Sequence, residues 1–283
     1  MSATFQPLGA GEAGPLRTFL LREASQHLYL LGLLEEFGMG AASGQGTHVF
    51  WGRLERGALT AALFVGGGGA LVVPSASPTP YVGALATAAL AATPSLRLRA
   101  CLGERGAVDA AVRALSRGAA PSVSRPQRLL VVSADDMGPF TNPRLRLARE
   151  EDLPRLVPLA AGDVEERLGH RPLVDDPEGF EARVRMRVRA SRTYVLEEGG
   201  ELVFKVDVGC RSQWGAELEG VYTHPAHRRR KHAILSLGQI SRHLLSSLPR
   251  LALRLDEGDE AATTLARRVG YVPGPAQRWV LMG

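Results

Sequence analysis

The order of secondary-structure signals constrains this chain most, because the same series runs through it twice. On either side of the stretch Asp135–Pro143, with its Gly-Pro and Asn-Pro pairs, the hydrophobic pattern reads helix, hairpin, strand, helix, strand, helix, strand. No repeat is visible by residue identity. Alternating helices and strands imply an α/β (α+β) fold. The repeated order allows a tandem pair of related folds, with a boundary near residues 142 and 143.

In the first half, Leu16–Gly38 reads as one or two helices. His48–Leu54 and Ala58–Val65 read as strands around a turn at Glu55–Gly57, and Ala70–Val73 as a short third strand. Between them Gly66–Gly69 lacks the spacing and the Lys-Ser/Thr ending of a phosphate-binding P-loop and reads as a hairpin turn. Tyr81–Ala92 is a helix, Leu96–Leu102 a strand, Gly106–Arg117 a helix and Arg128–Val132 a buried strand.

The second half opens on a strand, Arg144–Leu147, and a helix, Glu150–Leu168, with Glu151 and Asp152 in its first turn. Pro177–Arg189 alternates like a strand, but its length and its Asp-Pro-Glu entry favour a helix. Thr193–Glu197 and Glu201–Val208 form a hairpin, and Glu217–Tyr222 a further strand. Lys231–Leu248 is a long amphipathic helix with apolar positions at Ala233, Leu237, Ile240, Leu244 and Leu248. Leu251–Leu255, Glu260–Val269 and Gln277–Leu281 complete the series as strand, helix and strand.

Composition excludes several classes. No apolar run approaches the roughly 20 residues of a membrane span. Met1–Gly14 lacks the basic start and apolar stretch of a signal peptide, so the expected location is cytoplasmic. Cys101 and Cys210 lie far apart, implying neither a disulfide framework nor a metal site. The net charge of +5 comes mostly from arginine, with Lys205 and Lys231 the two lysines. That excess suits an anionic ligand, and suits equally a basic surface with no partner.

Chemistry concentrates in Leu218–Ala233. A strand runs into a proline turn at Pro225, four cations follow at Arg228, Arg229, Arg230 and Lys231, and a long helix begins. The first N–H groups of a helix lack intrahelical partners and carry partial positive charge, so a phosphate can sit on them.

This segment resembles the signature of the GNAT superfamily of acyl-CoA-dependent N-acetyltransferases, a strand ending Val-x-x-x-Pro followed by Arg/Gln-x-x-Gly-x-Gly/Ala. Val221 and Pro225 match the strand end, Arg228 the first loop position and Ala233 the last. Downstream, Ala262, Leu265, Val269, Gly270 and Tyr271 are similar to the family's closing motif. The whole chain looks like bacterial members with an extra N-terminal half that is itself a degenerate copy. The resemblance implies tandem GNAT-like units, residues 1–142 and 143–283, each a mixed, mostly antiparallel sheet flanked by helices. It implies acetyl-CoA as co-substrate, no metal, and an amine acceptor that is a small molecule or a protein. Val221, Tyr222, Thr223, Arg228, Arg229, Arg230, Lys231, His232, Ala233 and Asp259 become candidate donor-binding residues.

The chain departs from the family pattern at three places. Lys231 and Arg229 replace loop glycines; a long side chain fits there if it points outward and φ is negative. Ala266 stands where the family has a tyrosine acid, and Asp259 where it has an asparagine. Asp259 also reads as a plain helix N-cap before Glu260. Glu219, with Glu217 second, is the candidate base, and the same acids could simply pair with arginines. Lys205 is unusual on a hairpin strand, where it could reach the central cleft or pair in the neighbourhood of Asp207. Trp214 and Tyr222 could line an acceptor pocket or fill a core, and Arg183–Arg192 reads as a solvated helix face. The leading expectation is a catalytic N-acetyltransferase; the alternative is a non-catalytic acetyl-CoA sensor or scaffold. The cationic turn lacks interleaved aromatics, which argues against nucleic acid.

Overall fold

In a computed structural model of the chain, which describes residues 3–40, 42–43, 46–116 and 120–282, strand pairing joins the two halves into one sheet. The first half contributes β1 (Thr4–Pro7), α1 (Ala13–Leu21), α2 (Leu28–Phe37), the small hairpin β2 (Ala42–Ser43) and β3 (Gly46–Thr47), β4 (Val49–Glu55), β5 (Ala58–Val65), β6 (Ala70–Val73), α3 (Thr79–Ala91), β7 (Ala100–Glu104), α4 (Arg105–Leu115) and β8 (Val123–Val132). The second contributes β9 (Arg146–Leu147), α5 (Leu153–Leu168), α6 (Pro172–Asp175), α7 (Pro177–Arg189), β10 (Thr193–Glu198), β11 (Glu201–Ser212), β12 (Gly215–Thr223), α8 (His232–Leu245), β13 (Leu251–Asp256), α9 (Glu260–Val269) and β14 (Val272–Leu281).

The sheet has twelve strands in the order β1-β4-β5-β6-β7-β14-β8-β13-β12-β11-β10-β9. Two pairs are parallel, β6 with β7 and β12 with β13, and they occupy equivalent places in the two halves. Each half therefore reproduces the same antiparallel meander followed by one parallel crossover through a helix. The last strands are exchanged. β14 sits between β7 and β8, and β8 between β14 and β13. A tandem, mostly antiparallel fold flanked by helices is thus what the sequence led one to expect, with the two sheets fused edge to edge.

The helices cover the sheet with the faces their periodicity dictates. In α8, Ile234, Leu237, Ile240 and Leu244 are buried against Val206, Val208, Leu218 and Leu253 of the sheet. Fully burying a leucine such as Leu237 contributes about 1.5–3 kcal/mol. The helix stops at Leu245, three residues early, where Ser246 and Ser247 turn their hydroxyls onto the carbonyls of His243 and Leu244. α5 and α7 pack on the opposite face, with Leu156, Val157, Phe180 and Val184 against Val195 and Tyr222. α2 of the first half crosses β11, where a Cβ on Gly32 would collide with Cys210 and the backbone of Arg211. Trp214 fills part of this junction under Arg17, so it packs a core.

α7 and α9 occupy the expected ranges, and most other elements agree within a few residues. The end of the helix expected at Gly106–Arg117 reaches a residue outside those described. The strand expected at Leu96–Leu102 begins only at Ala100, because Arg99 and Ala100 direct their N–H groups to Gly69 of the preceding hairpin turn. β1 and α6 had no expectation; each is four residues long, too short for a period.

Candidate functional site

The central opening arises from a mismatch in pairing length. β12 pairs with β13 only through Ala216, Leu218 and the residue between them, opposite Leu251–Leu253. Beyond Leu218 the strands part: β12 runs on to Thr223 and β13 stays with β8 as far as Asp256. The equivalent pair in the first half does not open, since every residue of β6 is paired with β7. There Gly103, at φ +147°, lets the backbone close against the Val73 carbonyl. The segment before α3, Pro74–Pro78, also carries no cation. Of the two units, the second alone has both the opening and the charge.

A β-bulge stands at the mouth of the opening. Lys205 pairs with Tyr222 and Asp207 with Glu219, so Gly220 and Val221 oppose the single residue Val206. Gly220 has φ +57°, and a Cβ there would collide with the Lys205 ammonium and the Asp207 carboxylate.

The cationic turn leads from β12 into α8. A single 3-10 turn, Pro225–His227, precedes it. Arg229 and Lys231 have φ of +64° and +65°, so the negative φ named as a condition for long side chains at these two positions is not met. Both therefore occupy the left-handed region that glycine serves in the resembling motif, at a cost of roughly 1–2 kcal/mol each. The side chains of both are exposed, as the outward reading requires. Arg228 instead folds back: it pairs with Glu166 of α5, donates from Nε to the Thr223 carbonyl at 3.1 Å, and lies 5.6 Å over the Tyr222 ring. Arg230 lies 3.8 Å from Glu198. The first backbone bond into α8 is Leu235 N–H to the Lys231 carbonyl at 3.1 Å. Among the described residues no carbonyl of the loop takes the N–H groups of His232, Ala233 or Ile234, which leaves the helix start open to an anion.

On the α5–α7 face, three cations and three acids interlock. Lys205 Nζ donates to Asp207 Oδ2 at 2.8 Å and lies 3.4 Å from Asp163 Oδ2. Arg167 donates to Asp163 at 2.6 Å, and Arg187 to Glu219 at 2.8 Å while standing 3.6 Å from Asp207. Thr193 donates to the other Asp207 oxygen at 2.6 Å. Burial pushes the Asp207 carboxyl up, yet Lys205 and Arg187 outweigh it and hold the group below the usual carboxylate range. Arg187 therefore departs from the solvated face expected for Arg183–Arg192: it turns inward to two carboxylates.

The two candidate bases separate. Glu217 is buried and receives Arg254 Nη1 at 2.7 Å; burial raises its carboxyl, Arg254 opposes and Glu219 adds to the rise. Glu219 directly precedes the bulge, with its side chain 41% exposed. Tyr222 is buried in the α5 contact, Val221 lies in the bulge, and Thr223 ends the strand. His232 is the first residue of α8, and Ala233 packs on the core below it. Asp259 caps α9, accepting from Ala262 N–H at 2.9 Å, as the simpler reading anticipated. Ala266 is fully buried and offers no group to the opening.

Sequence reasoning missed the bulge and Asp163 as a partner of Lys205; the pairing near Asp207 was one of the two readings open for that lysine. The signal available was Gly220 inside a strand pattern, which marks a bulge or a close approach. It also missed Glu198, which the β10–β11 turn brings beside His227 and His232.

Solved structures resemble the whole chain. A Drosophila protein determined by structural genomics superposes with a TM-score of 0.68 at 16% identity, over 100% of this chain and 99% of its own. A GCN5-related N-acetyltransferase from Sphaerobacter thermophilus gives 0.59 at 16% identity, over 99% and 94%. A tandem GNAT protein from the clavulanic acid biosynthesis pathway, solved without AcCoA, gives 0.57 at 17% identity, over 99% and 97%. The chain has the tandem GNAT fold. No family model matches it, and no curated protein matches it by sequence. No helix among the described residues is long and apolar enough to cross a membrane.

Proposed function

We propose that the chain is an N-acetyltransferase that moves an acetyl group from acetyl-CoA to an amine in a ternary complex, with the donor held by residues 143–283. One observation carries the reading: the β12–β13 opening, the bulge at Gly220–Val221 and the free N–H groups of α8 lie along one path, in the unit that also carries the cationic turn. A pantetheine arm would pair along Val221–Thr223 as an added strand, and its diphosphate would rest on the N–H groups of His232 and Ala233. Arg229, Arg230 and Lys231 would supply charge around it, and Arg228 would have to exchange Glu166 for phosphate.

At the bulge, the backbone N–H of Val221 would polarise the thioester carbonyl. Glu219 would take the surplus proton of the acceptor ammonium, directly or through a water. The amine nitrogen then attacks the carbonyl carbon, the N–C bond forms, the C–S bond breaks, and the proton shed by the new amide nitrogen passes through water to the thiolate. Arg187, bonded to Glu219, would hold that carboxylate beside the opening. Residues 1–142 would act as a degenerate copy that covers part of the second unit through α2 and lends it β8.

Calorimetry with acetyl-CoA and CoA tests the reading. Sub-millimolar affinity for both is the expected result, and no binding would end the proposal. Thiol release across a panel of small amines and peptide amines then tests transfer. Binding with no release from any acceptor would replace transfer with donor sensing.

A further inference from the structure

Beside the cationic turn, three side-chain atoms converge without hydrogen-bond partners. Glu198 Oε2, His227 Nδ1 and His232 Nε2 are each buried and unsatisfied, and the three residues bring one ligand atom apiece to within 4.8 Å of one another. His232 is 6% exposed as a residue, so its free nitrogen is withdrawn from water. An unpaired buried nitrogen or carboxylate oxygen costs free energy unless something binds it.

We propose that these three residues form a zinc site. Zinc holds imidazole and carboxylate ligands at about 2.0–2.2 Å in a tetrahedron, which puts the ligands about 3.4 Å apart. Glu198 Oε2 lies 3.2 Å from His232 Nε2 and 3.8 Å from His227 Nδ1, on either side of that edge. A simple ion pair accounts for the cluster less well, because Glu198 Oε2 makes no aligned hydrogen bond to either ring. The surroundings also match a metal site. His227 turns its other nitrogen, Nε2, onto Glu201 Oε2 at 3.0 Å, the carboxylate contact that fixes a ligating histidine's tautomer. Two imidazoles select zinc over magnesium or calcium. Arg230, 3.8 Å from Glu198 Oε2, and Arg144, 4.0 Å from Oε1, are the competing cations. The fourth position would be left to water.

The site would have a mechanical consequence. His227 and His232 bracket Arg228–Lys231, the segment with two left-handed residues, and Glu198 ends β10 at the edge of the β10–β11 turn. One ion would clamp that turn to the loop and hold its strained backbone in place. The site stands whether or not the chain binds acyl-CoA.

The untagged full-length chain, stripped with a chelator, would be titrated with zinc against a chromophoric competitor, and with cobalt while following its visible bands. One equivalent of zinc at sub-micromolar affinity, with the strong absorption of four-coordinate cobalt, is expected. His232→Ala and Glu198→Ala should each weaken binding at least about hundredfold, Glu201→Gln by roughly 10–100-fold, and the exposed His170→Ala not at all. Circular dichroism of the stripped proteins checks folding, and His227→Gln, a change nearer the surface, substitutes for any variant that fails it. A folded chain that binds no zinc at micromolar concentration, or binds it equally in all ligand variants, overturns the site.

Discussion

Lys205 Nζ donates to the backbone carbonyl of Gly220 at 2.9 Å, so a buried ammonium on β11 fastens the bulge of β12. The same nitrogen holds Asp207 and approaches Asp163. Gly220 is the one residue type that fits, since any Cβ would strike that ammonium. The bulge that would polarise a thioester is thus set by a side chain from the neighbouring strand.

Lys205→Met tests this. It keeps the length of the side chain and leaves Asp207 and Asp163 facing each other across its place, partly compensated by Arg187 and Arg167. Removing one partner of a buried ion pair costs about 3–5 kcal/mol. Urea unfolding should show a loss of that order, and a variant as stable as the parent would mean that the ammonium is not buried there.

Glu219→Gln separates base from scaffold. The amide keeps the shape beside Arg187 but accepts no proton at neutral pH. Turnover should fall by roughly a hundredfold with donor affinity unchanged, read by thiol release and calorimetry. An unaltered rate removes Glu219 from the mechanism.

Arg228→Glu reverses a charge at the loop and sets two acids, with Glu166, beside the open helix start. Affinity for CoA should fall at least about tenfold, since a like charge opposes the diphosphate, whereas dephospho-acyl fragments lacking the diphosphate should be little affected. Equal CoA affinity in the two proteins would move the phosphate site elsewhere.

The parts of the site that were legible are contiguous in sequence. Val221, Pro225, the four cations and α8 lie on one stretch, where strand, turn and helix signals follow directly. Lys205 was visible as an anomaly with Asp207 as a candidate partner on its own strand, but its second acid, Asp163, comes from α5, far from it along the chain. Glu198 reaches His232 only because the β10–β11 hairpin closes over the loop. Strand exchange was illegible for a related reason: β8 and β14 read as strands, but nothing local says which edge each one joins. The positive φ at Lys231 runs against side-chain sterics, so propensity pointed the wrong way there.

Asp152 sets an acid limit on stability. Arg146 bonds both its oxygens, at 2.6 and 2.9 Å, Arg155 adds 2.9 Å, and the Arg149 N–H donates at 2.8 Å. The Arg146 bonds, more than opposing burial, hold the carboxyl down from 3.8 to about 2. A depressed acid contributes stability that is complete above its unfolded pKa and is lost as pH falls through the folded one. Each tenfold change in proton affinity on folding is worth about 1.4 kcal/mol, so between about pH 4 and pH 2 the chain should lose about 2 kcal/mol from this group. Asp152→Asn should be less stable at neutral pH by a similar amount and show a flatter acid limb in urea titrations. Parallel limbs for the two proteins would contradict the assignment.

The left-handed backbone at Lys231 gives opposite signs for two small substitutions. Glycine adopts φ +65° without the Cβ clash, which relieves roughly 1 kcal/mol. Its looser unfolded chain takes back about 0.5 kcal/mol, so Lys231→Gly should be slightly more stable than the parent. Valine, branched at Cβ, is a genuine outlier at positive φ and should lower stability by more than about 1 kcal/mol. Side-chain contacts do not confuse the comparison, because Lys231 is exposed. Thermal melts of the three proteins in chelator, so that no ion braces the loop, give the ranking Gly, Lys, Val. Valine as stable as glycine would mean that the loop enters α8 by another path, and the row of free N–H groups would then face elsewhere.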